Sequence, residues 1–242
     1  MALVTGASSG LGRACALALA EAGAGIALLA RSEEDLSEAA AAVAGTGRPA
    51  LRLVVDLANV DELARAVDRT AGELGGLDVL VNAAATDVPG PAETLRTEDW
   101  DRVLAVNLRA PFVLSKLAFP LMRERGGGTI VNVSSVAGKR GWANAAAYCA
   151  SKFALAGLTQ ALAAEGREHN IRVCVLYPGA MATSWGAWSA GERAEAGGER
   201  PDPTTALPPD RVAALVVWLA SAPPEVVLNE AVVTPLKEEG WP

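Results

Sequence analysis

Histidine, cysteine and clustered positive charge are what this sequence has least of. The one histidine in 242 residues, His169, lies at the polar end of a long helix, and with no cysteine pairs beside it a Ser-His-Asp hydrolase is not expected and a zinc site still less. Cys15, Cys149 and Cys174 stand singly in apolar, periodic segments with no metal-ligand spacing. They read as small buried hydrophobes in a reducing cytoplasm, and no metal is expected. No basic run exceeds the pair Lys139-Arg140, and the formal net charge is −7. That balance argues against nucleic acid and against an anionic membrane surface. The most apolar run, Ala14 to Ala30, is interrupted by Glu21, Gly23 and Gly25, so it reads as helix, turn and strand, not as a membrane span. A glycine-rich motif starts as early as Thr5, and no leader peptide is expected before it.

What the sequence does have is apolar material, 51% of the chain, with much alanine. That is ample for one large α/β core or two small ones. Short apolar strands alternate with amphipathic helices. Strands are expected at Ala2–Thr5, Ile26–Ala30, Ala50–Val55, Leu77–Asn82, Thr129–Val133, Ile171–Leu176 and Ala231–Thr234. Between them, helices are expected to Ala22, over Glu33–Ala44 and over Val60–Glu73. A long one should open with a capping signal at Thr97 and run to about Arg125, kinked at Pro111 and Pro120. A fifth covers Ala145–Glu168, and a last one, capped by Asp210, ends at Ser221. Such alternation implies one doubly wound, Rossmann-like, mainly parallel sheet of about seven strands with helices on both faces. The whole of 1–242 reads as one domain, and the Gly/Pro-rich stretch 184–209 reads as a flexible substrate-side loop.

Two local patterns carry chemistry. The first strand runs into Gly6-Ala-Ser-Ser-Gly10-Leu-Gly12 and then a helix, the context in which glycines let a backbone approach a pyrophosphate. A plain strand-to-helix turn would look the same. Downstream, Ala30 and Arg31 stand where NAD-binding folds commonly place a carboxylate, and a guanidinium there suits a 2′-phosphate. Glu33 and Glu34 compete for a role but suit the first turn of the next helix, which Ser32 caps. The second pattern is Tyr148 with Lys152 four residues on, one helical turn apart, and Ser135 thirteen residues before. An ammonium within about 4–6 Å of a phenol favours the phenolate, while a nearby hydroxyl can hold a substrate oxygen. A surface Tyr–Lys pair of no consequence has the same spacing.

TGASSGLG at 5–12, DVLVNAA at 78–84, Asn107, Ser135, Tyr148-x-x-x-Lys152 and PGAMAT at 178–183 together resemble the short-chain dehydrogenase/reductase family, in its order and at similar intervals, up to about residue 184. The resemblance implies that Tyr148 is the acid/base, with Lys152 its electrostatic partner and a ligand of the nicotinamide ribose. It implies that Ser135, in preference to Ser134, orients the substrate oxygen, and that Asn107 holds a water linked to Lys152. The implied cofactor set is Gly6, Ser8, Ser9, Gly10, Leu11 and Gly12 in the turn, with Arg31, Ser32, Asp56 and Leu57 toward the adenine end. Asn82 would lie near the adjacent ribose, Pro178, Gly179, Met181 and Thr183 toward the carboxamide, and Tyr148 and Lys152 count here too. The family's usual Asn-Asn-Ala-Gly is Asn82-Ala-Ala-Ala85 here, which adds a methyl where backbone and cofactor come close. The expectation is an NADP(H)-dependent oxidoreductase acting between a ketone or aldehyde and its alcohol. NAD(H) is the second choice, and the partners are small molecules and one or three further copies of the chain. A catalytically silent dinucleotide sensor is the alternative from another class.

Overall fold

The computed structural model describes residues 1–183, 205–223 and 225–237. Seven strands form one sheet: β1 (Ala2–Thr5), β2 (Ile26–Ala30), β3 (Ala50–Val54), β4 (Val79–Asn82), β5 (Gly128–Val133), β6 (Ile171–Pro178) and β7 (Glu230–Val233). Their spatial order is β3-β2-β1-β4-β5-β6-β7, and every neighbouring pair is parallel. The inner strands β1, β2 and β4 are buried along their whole length, as uninterrupted apolar runs covered on both faces must be. The edge strand β3 is buried only at Leu53.

Helices α1 (Gly10–Glu21) and α2 (Glu33–Gly45) pack on one face together with α7 (Pro209–Ser221), through residues such as Leu19, Leu36, Val212 and Val216. The other face is covered by α3 (Val60–Leu74), α5 (Ala110–Glu124) and α6 (Ala146–Gly166), through Leu63, Leu114, Met122 and Leu162. Ser32 caps α2, accepting from the Asp35 N–H at 3.3 Å.

The long helix expected from Thr97 is divided. It runs as α4 (Thr97–Leu104), a five-residue π turn (Ala105–Arg109) and then α5. Pro111 lacks the N–H that an α register would aim at the Asn107 carbonyl, so the ladder is already broken at this point. Pro120, by contrast, lies inside α5 without ending it. The expected caps at Thr97 and Asp210 are not formed. Arg96 and Pro208 occupy the N-cap positions without a side-chain bond, and Asp210 sits in the first turn of α7. The run Thr97–Glu124 is long and apolar enough to cross a membrane, yet its Val106, Leu114 and Met122 are buried against the sheet.

Between β3 and β4 the chain crosses from one half of the sheet to the other. The carboxyl ends of β1 and β4 therefore border a crevice, where open α/β folds bind ligands.

Candidate functional site

A cleft of about 400 Å³ opens at these strand ends, and the glycine turn forms its floor. Two positions there admit nothing larger than glycine. A Cβ on Gly12 would lie 2.3 Å from the Gly6 carbonyl oxygen, and one on Gly6, whose φ is +66°, would meet the Ala84 Cα at 2.9 Å. The turn is folded onto itself and onto the loop after β4, so its backbone faces the cleft. Ser9 occupies the N-cap of α1 without a side-chain bond, and no acidic residue stands in the helix's first turn. The helix thus offers its positive end and its free amides to a ligand. Gly6, Ser8, Ser9, Gly10, Leu11 and Gly12 all line the cleft, and this backbone cradle fits the pyrophosphate of a dinucleotide.

At one end, Arg31, Asp56 and Leu57 line the wall. Asp56 is not a bare carboxylate. Arg102 of α4 grips both its oxygens at 2.9 Å, and that bond is the main reason its pKa falls below the usual carboxylate value. Arg102, a wall residue that sequence reasoning missed, carries no local signal, because its partner is 46 residues away. Arg31 adds a second positive charge near Asp56. Ser32, committed to capping α2, is not part of the lining.

At the other end lie the groups able to move a proton. Tyr148 and Lys152 face the cleft from α6, 6% and 2% exposed. The Lys152 Nζ donates to the Val133 carbonyl at 2.8 Å and lies 5.5 Å from the centre of the Tyr148 ring. Burial raises the Tyr148 pKa above that of a free phenol. The Ser135 hydroxyl, hydrogen-bonded to the phenol, pulls against that rise, while the charge of Asp87 adds to it. Burial also lowers Lys152 to about 7. The ammonium expected to depress the phenol's pKa is itself poorly tolerated here, so the protein alone keeps Tyr148 in its proton-donating form. The Ser134 hydroxyl, although in the cleft wall, is spent on the Lys152 carbonyl at 3.0 Å.

Asn107 sits in the π turn, 1% exposed. Its Oδ1 accepts from the Thr86 N–H, and its Nδ2 donates to the Thr86 carbonyl, each at 2.8 Å; Nδ2 also donates to the Ser151 hydroxyl at 3.0 Å. These bonds pin the loop after β4 to the start of α6. Asn82 likewise turns away from the cleft. It donates to the Asn132 side chain at 2.8 Å, and Asn132 donates on to Thr159 at 2.9 Å.

Met181 and Thr183 reach the cleft, whereas Pro178 ends β6 and Gly179 donates its N–H to the Val233 carbonyl. Ala85, the departure from the family pattern, packs against the cluster of Ala137, Ala145, Tyr148 and Cys149 without a positive φ, so its methyl costs no backbone strain. Most of the loop expected over 184–209, with Trp185 and Trp188, lies outside the described residues. Among the described residues no group of His, Cys, Asp or Glu is placed to hold a metal.

A family model described as short chain dehydrogenase matches residues 1–192. D-threitol dehydrogenase of Mycolicibacterium smegmatis is 40% identical over 224 residues, covering 91% of this chain and 85% of that one. A metagenomic short-chain oxidoreductase solved with NADP is 35% identical, with a TM-score of 0.82 over 97% of this chain and 96% of that one. Carveol dehydrogenase of Mycobacterium avium, solved with NAD, superposes with a TM-score of 0.88 at 27% identity, over 96% and 95% of the two chains. Both dinucleotides occur among these neighbours, so likeness alone does not set a preference.

Proposed function

This chain belongs to the short-chain dehydrogenase family of oxidoreductases, and from that footing we propose that it moves a hydride between NADP(H) and a ketone or aldehyde, or the corresponding alcohol. The observation that carries the proposal is that Tyr148 and Lys152 line one end of a cleft whose other wall is a backbone cradle, with the Ser135 hydroxyl, itself outside the lining, bonded to the phenol. When bound, the nicotinamide cofactor supplies or accepts the hydride. Everything else falls to the chain. Tyr148 gives its proton to the substrate oxygen in reduction and takes one back in oxidation, and burial keeps it protonated for the first task. Ser135 lies within hydrogen-bond range of the phenol and can hold the same substrate oxygen. With its pKa lowered to about 7, Lys152 changes charge easily and can offset a phenolate when oxidation demands one.

Preference for NADP rests on Arg31, which stands at the adenine end and suits a phosphate through paired, charge-assisted bonds. A carbonyl compound or alcohol with hydroxylated neighbours is the first substrate class to try, since D-threitol is a polyol. The same reading includes a homodimer or homotetramer in the cytoplasm. In support, Phe112 and Phe153 are 46% and 47% exposed, and Phe112, Leu108 and Leu158 line a groove between α5 and α6. Three free, buried cysteines suit a reducing compartment.

The decisive experiment is Y148F. Turnover of any carbonyl or alcohol accepted by the wild type should fall by about 10²–10⁴ while dinucleotide affinity is retained. Near-native turnover would refute the acid/base role. Dinucleotide binding by the wild type with no turnover across a broad panel would favour a silent sensor instead.

A further inference from the structure

Beside the adenine end of the cleft lies a second depression, an open groove of about 700 Å³ along the edge strand β3 and helix α3. Arg31, Val55 and Asp56 line the cleft and the groove alike, so the two meet at Arg31. Arg65, from the second turn of α3, lines the groove but not the cleft.

The other charged side chains along this groove are already engaged. Asp56 is paired with Arg102 at 2.9 Å, and its Oδ1 also accepts from the Ala58 N–H. Glu62 accepts from the Asp56 N–H at 2.7 Å through one oxygen and from Asn59 at 2.8 Å through the other. Arg69 is bonded to Glu73, one turn on, at 2.7 Å. Arg31 and Arg65 differ: among the described residues neither joins an ion pair. In a chain of net charge −7, two guanidiniums from separate elements thus share one groove in which both carboxylates already have partners. Their repulsion is screened by water but not removed, and an anion between them would relieve it.

We propose that Arg31 and Arg65 together form a site for a phosphate dianion, with Arg31 at the junction of cleft and groove and Arg65 within the groove. A phosphate monoester carries close to two negative charges at neutral pH and presents three acceptor oxygens. One guanidinium fork answers one charge and two of those oxygens; a second answers the remainder. Two sources offer this chemistry, the 2′-phosphate of NADP(H) and free inorganic phosphate. A site at the adenine end of the cleft favours the first. The proposal rests on the dinucleotide reading of the cleft, and it adds to Arg31 a residue that no local motif marks.

The test is calorimetric titration of the full-length protein with NADPH, NADH and sodium phosphate, from an otherwise phosphate-free buffer, for wild type, R65A and R65K. If the 2′-phosphate is the occupant, R65A should weaken NADPH about five- to twentyfold, as loss of a charge-assisted contact at an exposed position would, and leave NADH within about twofold. R65K keeps a point charge without the fork, so its loss should be smaller than that of R65A. If free phosphate is the occupant, it should bind the NADH-loaded wild type and not NADH-loaded R65A, while NADPH affinity is unchanged by the substitution. Either result supports the site. R65A with wild-type behaviour toward both NADPH and phosphate would overturn it. An equal loss for NADPH and NADH would overturn it too, because a support of the fold acts on both alike. A wild type that binds NADH as tightly as NADPH would remove the NADP preference and leave the phosphate titration to decide the site. A wild type that binds neither dinucleotide would sink the cofactor reading, and this inference with it.

Discussion

Asn107 supports a quantitative prediction, because its side chain bonds three groups at once: the Thr86 N–H, the Thr86 carbonyl and the Ser151 hydroxyl. Truncation in N107A strands the Thr86 N–H in the interior at about 1–3 kcal/mol. It also leaves the Thr86 carbonyl short of a donor, at about 1 kcal/mol. The expected loss is about 2–4 kcal/mol, or a fall in Tm of about 4–16 °C for a chain of this size. N107D is the sharper perturbation. One carboxylate oxygen can still accept from Thr86, but the other replaces a donor. It would face the Thr86 carbonyl and a Ser151 hydroxyl whose proton is already given to the Tyr148 carbonyl at 2.7 Å.

Ionised, the carboxylate introduced by N107D is a buried, unpaired charge; protonated, it can donate to the Thr86 carbonyl as Asn107 does. Its folded pKa must then lie above the unfolded value of about 3.9. The unfolded chain releases its proton first, so N107D is least impaired below about pH 4. It should lose ground as pH rises toward the folded pKa and level off beyond it. Urea titrations of wild type, N107A and N107D across that range, followed by far-UV circular dichroism, give the differences directly. N107A within about 0.5 kcal/mol of wild type, or N107D gaining on wild type with rising pH, would refute the clasp.

Two other expectations follow from the cleft. R31D should lower the ratio of NADP to NAD kcat/KM by about 10–100-fold, the worth of a charge-assisted phosphate contact; an unchanged ratio would remove Arg31 from the phosphate role. G12A should weaken dinucleotide binding at least about tenfold and destabilise the fold by about 1–3 kcal/mol, because the new methyl meets only backbone atoms, at 2.3 to 2.9 Å. A dissociation constant within about twofold of wild type would show that the turn can open at no cost.

The glycine turn was legible because its chemistry is local. Strand, glycines and helix are consecutive, and the crowding at Gly6 and Gly12 follows from folding that short segment back on itself. Tyr148 and Lys152 were legible as a pair for a similar reason, since four residues on a helix is a fixed offset. The β2 and β3 strand ends that bring Arg31 and Asp56 to one crevice followed from alternation alone. The readings that failed were those where a local rule met a distant partner. Thr97 and Asp210 look like caps, but the helices begin one or two residues off, with Arg96 and Pro208 in those positions. The resemblance gives Asn107 a water linked to Lys152, whereas its bonds in the fold go to Thr86, 21 residues back in sequence, and to Ser151.

The sequence by itself determined the order of strands and helices, the parallel sheet, the turn that only glycine can make and the offset that sets a phenol beside an amine. These depend on residue periodicity and on steric limits within a few positions of the chain. The tertiary structure decided the electrical state of the site: a lysine lowered to about 7, a phenol held protonated and Asp56 paired with Arg102. Desolvation and Coulomb forces depend on what lies nearby in space, and no spacing along a chain records which distant segments will exclude the water.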